Sequence, residues 1–261
     1  MTPFRFWLSS VVIVIAGFYM LPQARSVIWL LFIPYVLVFV WGIIDLRSQF
    51  FLKAYTRNKD ETTGMCLTFD DGPDPNLTTE ILAILARFGL KATFFVIGEK
   101  ARSHPGLVKQ AFAQGHTIAC HDLTHNPFSN FRFSSSMIND IASCQKIVEN
   151  SIGKKPLLYR PPVGLANPHL GSALSKLSMY CIGWSRSARE GGNRRIGRIR
   201  TISLLAHAGD VLMLHDCLPV QEHKQEFLSQ LEKLCETIAA KKISTIGIDE
   251  MFDIPAYEVE R

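Results

Sequence analysis

The 261-residue sequence lacks CxxC pairs, internal repeats and low-complexity tracts. Its six cysteines, Cys66, Cys120, Cys144, Cys181, Cys217 and Cys235, stand singly, and no spacing suggests a disulfide framework. Cys66, Cys181 and Cys217 fall in or beside apolar strand-like runs and read as small buried hydrophobes. Charge is also missing, but only locally. None occurs at residues 6–24, and none again at residues 26–44, two runs of 19 residues each. The net charge of +5 is concentrated in Arg186, Arg189, Arg194, Arg195, Arg198 and Arg200. No aromatic pattern accompanies these arginines, which argues against nucleic acid. They form either a solvated basic loop or a site for phosphates on a lipid or a substrate.

The two uncharged runs approach the ~20 residues that a helix needs to cross a bilayer. Trp7, Tyr19, Trp29 and Trp41 lie near their ends, where amphipathic rings settle, and Pro34 predicts a kink that a membrane helix tolerates. The stretch around "LPQARS" offers no small-x-small cleavage site, so a retained two-helix hairpin is expected rather than a signal peptide. Arg5, Arg47, Lys53, Arg57 and Lys59 would share one side of the membrane, with Arg25 alone on the other. The positive-inside rule then puts the rest of the chain on the cytoplasmic face of a bacterial inner membrane. The expected organisation is a transmembrane hairpin at 1–45, a juxtamembrane linker at 46–62 and a catalytic domain at 63–261.

From residue 64 onward, short apolar runs alternate with amphipathic stretches. "MCLTF", "KATFFVIG", "HTIACH", "PLLYRPP", "MYCIGWS", "GDVLMLHD" and "ISTIGI" read as strands. Helices are predicted over 78–89, 104–115, from Ser135 onward, and in "LGSALSKLS", "RIRTISLLAHA" and "HKQEFLSQLEKLCETIAAKK". This alternation predicts an α/β fold with a parallel sheet or barrel. Chemistry in such folds gathers at the C-terminal strand ends, which here carry Asp70-Asp71, His121, Arg160, Trp184 and His215-Asp216.

"GMCLTFDDGPDP" ends an apolar run on two adjacent acids. Either this is a solvated corner or the acids hold something. His121 and His125, four apart in "HDLTH", would share one face of a helical turn as paired metal ligands do. One carboxylate would complete a site of two imidazoles and one acid. The other could then act as general base on a water that the metal acidifies toward about pH 7. Arg160 either holds that base through a charge-assisted hydrogen bond or makes a surface ion pair. His215 either donates a proton to a departing amine or is a hydrogen-bonded strand-end residue. Asp74 reads as an ordinary turn residue.

These motifs resemble the polysaccharide deacetylases with a NodB homology domain (carbohydrate esterase family 4) over roughly residues 63–253. "TFDDGP", "HDLTH", "RPPVG" and "VLMLHD" look like its first, second, third and fifth motifs, in order. The resemblance implies a distorted (β/α)7 barrel, here preceded by the hairpin, and hydrolysis of the acetamido or formamido group of an amino sugar. It implies Asp70 as base, His215 as acid and Arg160 as the orienter of the base. It implies Asp71, His121 and His125 as ligands of a divalent metal, zinc first, with cobalt, nickel or manganese as alternatives. Pro161, Val163, Trp184 and Leu214 would meet substrate, Leu214 at the acetyl group, with a backbone N–H near Val163 aiding the oxyanion. Glu190 and Asp216 would support them from behind, Glu190 by pairing with Arg160.

The chain departs from the family at three points. Asp122 stands where Ser or Thr is usual and is either a support for the site or a turn residue. Val163 stands where an aromatic is common, and Glu190-Gly191 replaces Asp-Trp. A cytoplasmic domain would act on a polyprenyl-phosphate-linked amino sugar. An outward-facing one would act on peptidoglycan or an exported polysaccharide. A third expectation, an inactive sugar-binding scaffold, conflicts with the presence of all six residues Asp70, Asp71, His121, His125, Arg160 and His215. A phosphatase reading of the paired acids leaves "HDLTH" unexplained.

Overall fold

Two helices, α1 (Pro3–Met20) and α2 (Arg25–Ile44), open the chain. The structure is a computed structural model and describes residues 2–21, 23, 25–126, 128, 132–189, 198–217 and 221–259. Strands and helices then alternate through β1 (Ala54–Tyr55), β2 (Gly64–Asp70), α3 (Thr78–Arg87) and β3 (Thr93–Val96). The series continues with α4 (Gly98–Ser103), α5 (Pro105–Ala113), β4 (Thr117–Cys120), α6 (Ser134–Ile152) and β5 (Leu158–Tyr159). Next come α7 (Pro168–Lys176), β6 (Tyr180–Ile182), β7 (Arg186–Ser187), α8 (Arg198–Leu205) and β8 (Val211–His215). The last elements are α9 (Lys224–Ala240), β9 (Ser244–Thr245) and α10 (Ile248–Phe252).

The strands pair in the order β1-β6-β5-β4-β3-β2-β8-β7, with β9 added alongside β2, and every one of these pairs is parallel. Among the described residues no pairing joins β7 back to β1. The expected distorted barrel is therefore a curled half-barrel, open between its edge strands. Covered on both faces, β2 is buried at all seven positions, which is why "GMCLTFD" reads as a continuous rather than alternating apolar run.

Alternation still decides what each residue meets. Met65, Leu67 and Phe69 of β2 join the larger core under the helices, with Ile81, Leu85, Phe227 and Leu231. Cys66 points the other way, into a smaller interior cluster with Phe95, Ala119, Leu158, Ile182 and Val211. The interior face carries Thr68 and Asp70 as it nears the C-terminal rim, so polar groups are stacked above an apolar floor.

The N-terminal helices pack on each other. Trp7 donates its indole N–H to Tyr35 O at 3.3 Å and stacks near Phe39, and Phe18 meets Trp29 edge-on. No residue of α1 is buried. Among the described residues α1 is long and apolar enough to cross a membrane, and the apolar part of α2 is the shorter Phe32–Ile44, with Pro34 inside. The segment expected to be a linker is instead packed: Phe50, Phe51, Leu52 and Ala54 are buried, and β1 pairs with β6. The Phe4 amide donates to Phe50 O at 3.1 Å, and Phe4, Trp7, Phe39, Phe50 and Phe51 form one aromatic cluster. Two phenylalanines set among polar residues carry packing that the average composition of the stretch conceals.

His116, just before β4, is buried; its Nδ1 accepts from the Ala92 amide at 3.2 Å and its ring meets Phe94 edge-on. Burial pushes its pKa down from 6.5 to about 4, assisted by nearby Lys91. A His held neutral in the fold leaves the unfolded chain binding more protons between those values, so stability falls as pH drops through that window. Thermal melts from pH 7 to pH 4.5 should show a steeper loss for wild type than for His116→Gln, which keeps an acceptor but cannot titrate. Parallel losses would rule this origin out.

Candidate active site

Adjacent strand residues face opposite sides, so Asp70 and Asp71 would ordinarily diverge. Asp71 leaves β2 at φ 72°, a left-handed conformation that Asp tolerates better than most residues. Both acids consequently line one cavity of about 1190 Å³ at the C-terminal rim of the sheet, together with His121, His125 and His215.

Asp70 is held by Arg160, which follows β5 and has no solvent exposure. The Arg160 Nη1 donates to Asp70 Oδ1 at 2.6 Å and to Thr68 Oγ1 at 2.7 Å. Its Nε donates to Ile182 O at 3.2 Å and its Nη2 to Gly183 O at 2.8 Å. The guanidinium lies 4.0 Å over the Phe95 ring. The surface ion-pair reading of Arg160 is thus overturned: four strands close around it. Burial lowers the Arg160 pKa, and the Asp70 charge works against that loss.

His121 and His125 do come together, though not on a helical turn as their spacing suggested. Residues 121–126 are loop, and positive φ values at Asp122 (75°) and His125 (55°) fold it back on itself. The Nε2 atoms of His121 and His125 lie 3.3 and 3.2 Å from Asp71 Oδ1. The His121 Nδ1 lies 2.8 Å from Arg160 O, an acceptor only, so Nδ1 carries the proton and Nε2 turns a lone pair to the cavity. Asp71 Oδ1 is buried and makes no hydrogen bond. Lone pairs from one carboxylate and an imidazole thus converge with a second imidazole on one point, a donor set of a divalent metal site, with the ligand atoms of Asp71, His121 and His125 within 4.8 Å of one another. Burial by itself would raise the Asp71 pKa. The imidazoles of His121, His215 and His125 more than reverse this and hold it well below the usual carboxylate range. Burial opposes charge on His121, yet Asp70 and Asp71 raise its pKa; for His125 burial wins and the pKa falls.

The cavity walls differ in part from expectation. Val163 (φ 59°) and Trp184 line it. Gly164 (φ 70°) packs under Trp184 so closely that a Cβ there would overlap the indole. Pro161 is buried beside them. From β8 the cavity receives Met213 and His215. Leu214 pairs in register with Phe69 and lies in the helix-side core, so Met213 stands where Leu214 was expected. Counting back by two from His215 gives that answer from the sequence. Asp216 is buried, accepts from Thr78 Oγ1 at 2.9 Å, and packs where a Cβ on Gly72 would stand. Burial pushes its pKa up to about 7. Its amide donates to Asp70 O at 3.0 Å, tying the two strand ends together. Asp74 is a turn residue with a job: its Oδ1 accepts from the Asn76 amide, and its amide donates to Thr78 Oγ1. Asp122 is buried, and its carbonyl accepts from the Gly98 amide. Glu190, Arg194 and Arg195 lie outside the described residues. Arg186 donates from Nε to buried Asp210 at 2.6 Å.

A family model described as polysaccharide deacetylase matches residues 57–182. A peptidoglycan-N-acetylglucosamine deacetylase of Bacillus cereus is 35% identical over 155 residues, 58% of this chain and 72% of the relative. A second deacetylase of that name from Listeria monocytogenes is 32% identical over 190 residues, which is 72% of this chain but 38% of the relative. Among solved structures, a peptidoglycan N-acetylglucosamine deacetylase in complex with an N-hydroxybenzamide overlays with a TM-score of 0.72 at 24% identity, covering 78% of this chain and 94% of that one. That overlay shows the fold.

Metal uptake should track protonation of the ligands, since each must bind as its deprotonated form. Calorimetric titration with Zn2+ should release protons, and affinity should fall as the pH drops through the raised His121 pKa, above 6.5. Asp71→Asn should weaken uptake at least tenfold. Equal uptake by wild type and variant would remove this site from consideration.

Proposed function

The chain belongs to the polysaccharide deacetylase family, hydrolases of the amide bonds of amino sugars, and we propose that it removes the N-acetyl or N-formyl group from a polyprenyl-phosphate-linked amino sugar. The observation that carries the chemistry is the convergence of the Asp70–Arg160 pair, the Asp71–His121–His125 cluster and His215 in one cavity.

Each residue then has one task. Asp71, His121 and His125 would hold a divalent metal, zinc first, which when bound supplies Lewis-acid polarisation of the amide carbonyl and acidifies water. Asp70 takes the proton of the attacking water, its carboxylate fixed in direction by Arg160. A backbone N–H near Val163 would stabilise the negative charge that develops on the carbonyl oxygen. His215, level with Asp70 across the β2–β8 pair, returns a proton to the departing amine. Met213 and Trp184 form apolar walls for the acyl group and sugar.

The anchoring belongs to the same reading. Both N-terminal helices would span the inner membrane, with the catalytic domain on the cytoplasmic face beside Arg5, Arg47, Lys53, Arg57 and Lys59. A substrate reached from that side is one still carried on its lipid. The named activity of the Bacillus and Listeria relatives favours a second reading, an outward-facing enzyme acting on peptidoglycan or an exported polysaccharide.

Asp70→Asn should lower acetate release from an N-acetylated amino-sugar substrate by about 10²–10⁴-fold, the range for loss of a general base. Its divalent metal content should stay at the wild-type level. Equal rates for wild type and variant would refute the mechanism. For topology, a C-terminal fusion should be active as a cytoplasmic reporter and silent as a periplasmic one, and the reverse result would favour the outward-facing reading.

A further inference from the structure

The cavity does not end at the catalytic residues. Its far wall is built by the last turn of α2 and the residues just after it: Trp41, Ile44, Asp45, Leu46 and Arg47. Arg186, Arg189 and, from α8, Leu205 line the same cavity. This helix end is fixed in place, since Ala166 donates its amide to Ile43 O at 2.9 Å and Gly42 packs directly on the Phe50 ring. The second helix is therefore part of the cavity as well as a tether.

Cations and apolar side chains both line this part of the cavity. Arg47 spends Nε and Nη2 on Asp45, at 2.9 and 3.0 Å, and Arg186 spends Nε on Asp210, which leaves each guanidinium with further N–H groups. Arg189 is exposed on a backbone kink at φ 54°, and its amide donates to Ser187 Oγ. Among the described residues Asp45 is the one carboxylate of the α2 wall, and it is paired bidentately with Arg47. The apolar surface beside them is open to the outside: Trp41 is 50% exposed, Ile44 62% and Leu205 49%, with Leu204 next to it at 63%. That surface is continuous with the exposed side of α2, including Leu37 and Ile33.

Resting on the amino-sugar deacylase reading, we propose that Arg47, Arg186 and Arg189 bind the phosphate of a prenyl phosphate. In this arrangement Trp41, Ile44 and Leu205 take its first isoprene units, and the α2 end forms the lipid subsite of the enzyme. The ligand carries sugar, phosphate and hydrocarbon, and one cavity holds the catalytic groups, the three arginines and the exposed apolar side chains that would meet each part. A polymeric glycan has nothing to place on the apolar stretch. Arginine suits the anion, since its guanidinium offers paired N–H groups to phosphate oxygens.

The test is a binding titration on the full chain in nanodiscs, with farnesyl phosphate, farnesol and inorganic phosphate as separate probes. Wild type should bind farnesyl phosphate at least tenfold more tightly than either farnesol or inorganic phosphate. Arg189→Gln should weaken farnesyl phosphate binding about tenfold, the loss expected for one charge-assisted hydrogen bond, and leave farnesol binding unchanged. Arg47→Gln should act in the same direction, and Trp41→Ala should weaken both prenyl probes. Asp70→Asn should bind farnesyl phosphate like wild type, which separates this subsite from the chemistry. Farnesol binding as tight as farnesyl phosphate, or wild-type farnesyl phosphate binding by both arginine variants, overturns the proposal. Inorganic phosphate binding as tightly as farnesyl phosphate overturns the lipid assignment in favour of a free-phosphate site. Intact farnesyl phosphate binding without any acyl release would leave the subsite standing and defeat the deacylase reading alone.

Discussion

A guanidinium without solvent contact survives in a protein only when its charge is paired and its donors are filled. Arg160 meets that condition by drawing on four strands at once. It grows from the end of β5, takes Asp70 and Thr68 from β2, reaches the carbonyls of Ile182 and Gly183 at the end of β6, and lies on Phe95 of β3. Its own carbonyl receives His121, which follows β4. The half-barrel therefore cannot curl more or less at this rim without breaking a contact to a buried charge. Such a pair is weak evidence of net stability, because desolvation offsets much of its attraction. What it supplies is direction, to a carboxylate on one side and an imidazole on the other.

The remaining geometry comes from backbone corners. Asp71, Asp122, His125 and Val163 all have positive φ, and all lie at or next to the cavity. Left-handed conformations cost little for Asp and more for a β-branched residue such as Val163. Each reverses the direction in which the chain would otherwise send the next side chain. This lets two adjacent acids face one space and lets two histidines converge without a helix.

These corners also mark the limit of what could be read from the chain. The strand ends and the residue types at them were legible, because apolar runs stop abruptly at Asp70, His121, Arg160 and His215. The HxxxH spacing was legible too, but its geometry was not, since a loop and a helical turn can satisfy the same interval. The cavity position of Met213, rather than Leu214, follows from the period of two along β8. The packing of Phe50 and Phe51 was hidden for a different reason. Two large side chains can bury a whole segment while its average composition stays polar. Strands of two residues, such as β5, β7 and β9, carry no period of their own, so whether the sheet closes was not written in any local pattern.

The aromatic cluster of Phe4, Trp7, Phe39, Phe50 and Phe51 draws its members from both N-terminal helices and from the segment leading into the sheet. The same residues belong to, or pack against, the main core that runs beneath Phe69 and Leu214. One continuous interior thus spans what the sequence divides into anchor and catalytic domain. A chain cut before Leu46 would not keep the rest of the fold intact. It would open Phe50 and Phe51 to water and strip one wall from the cavity. The N-terminal helices are one of the protein's structural layers.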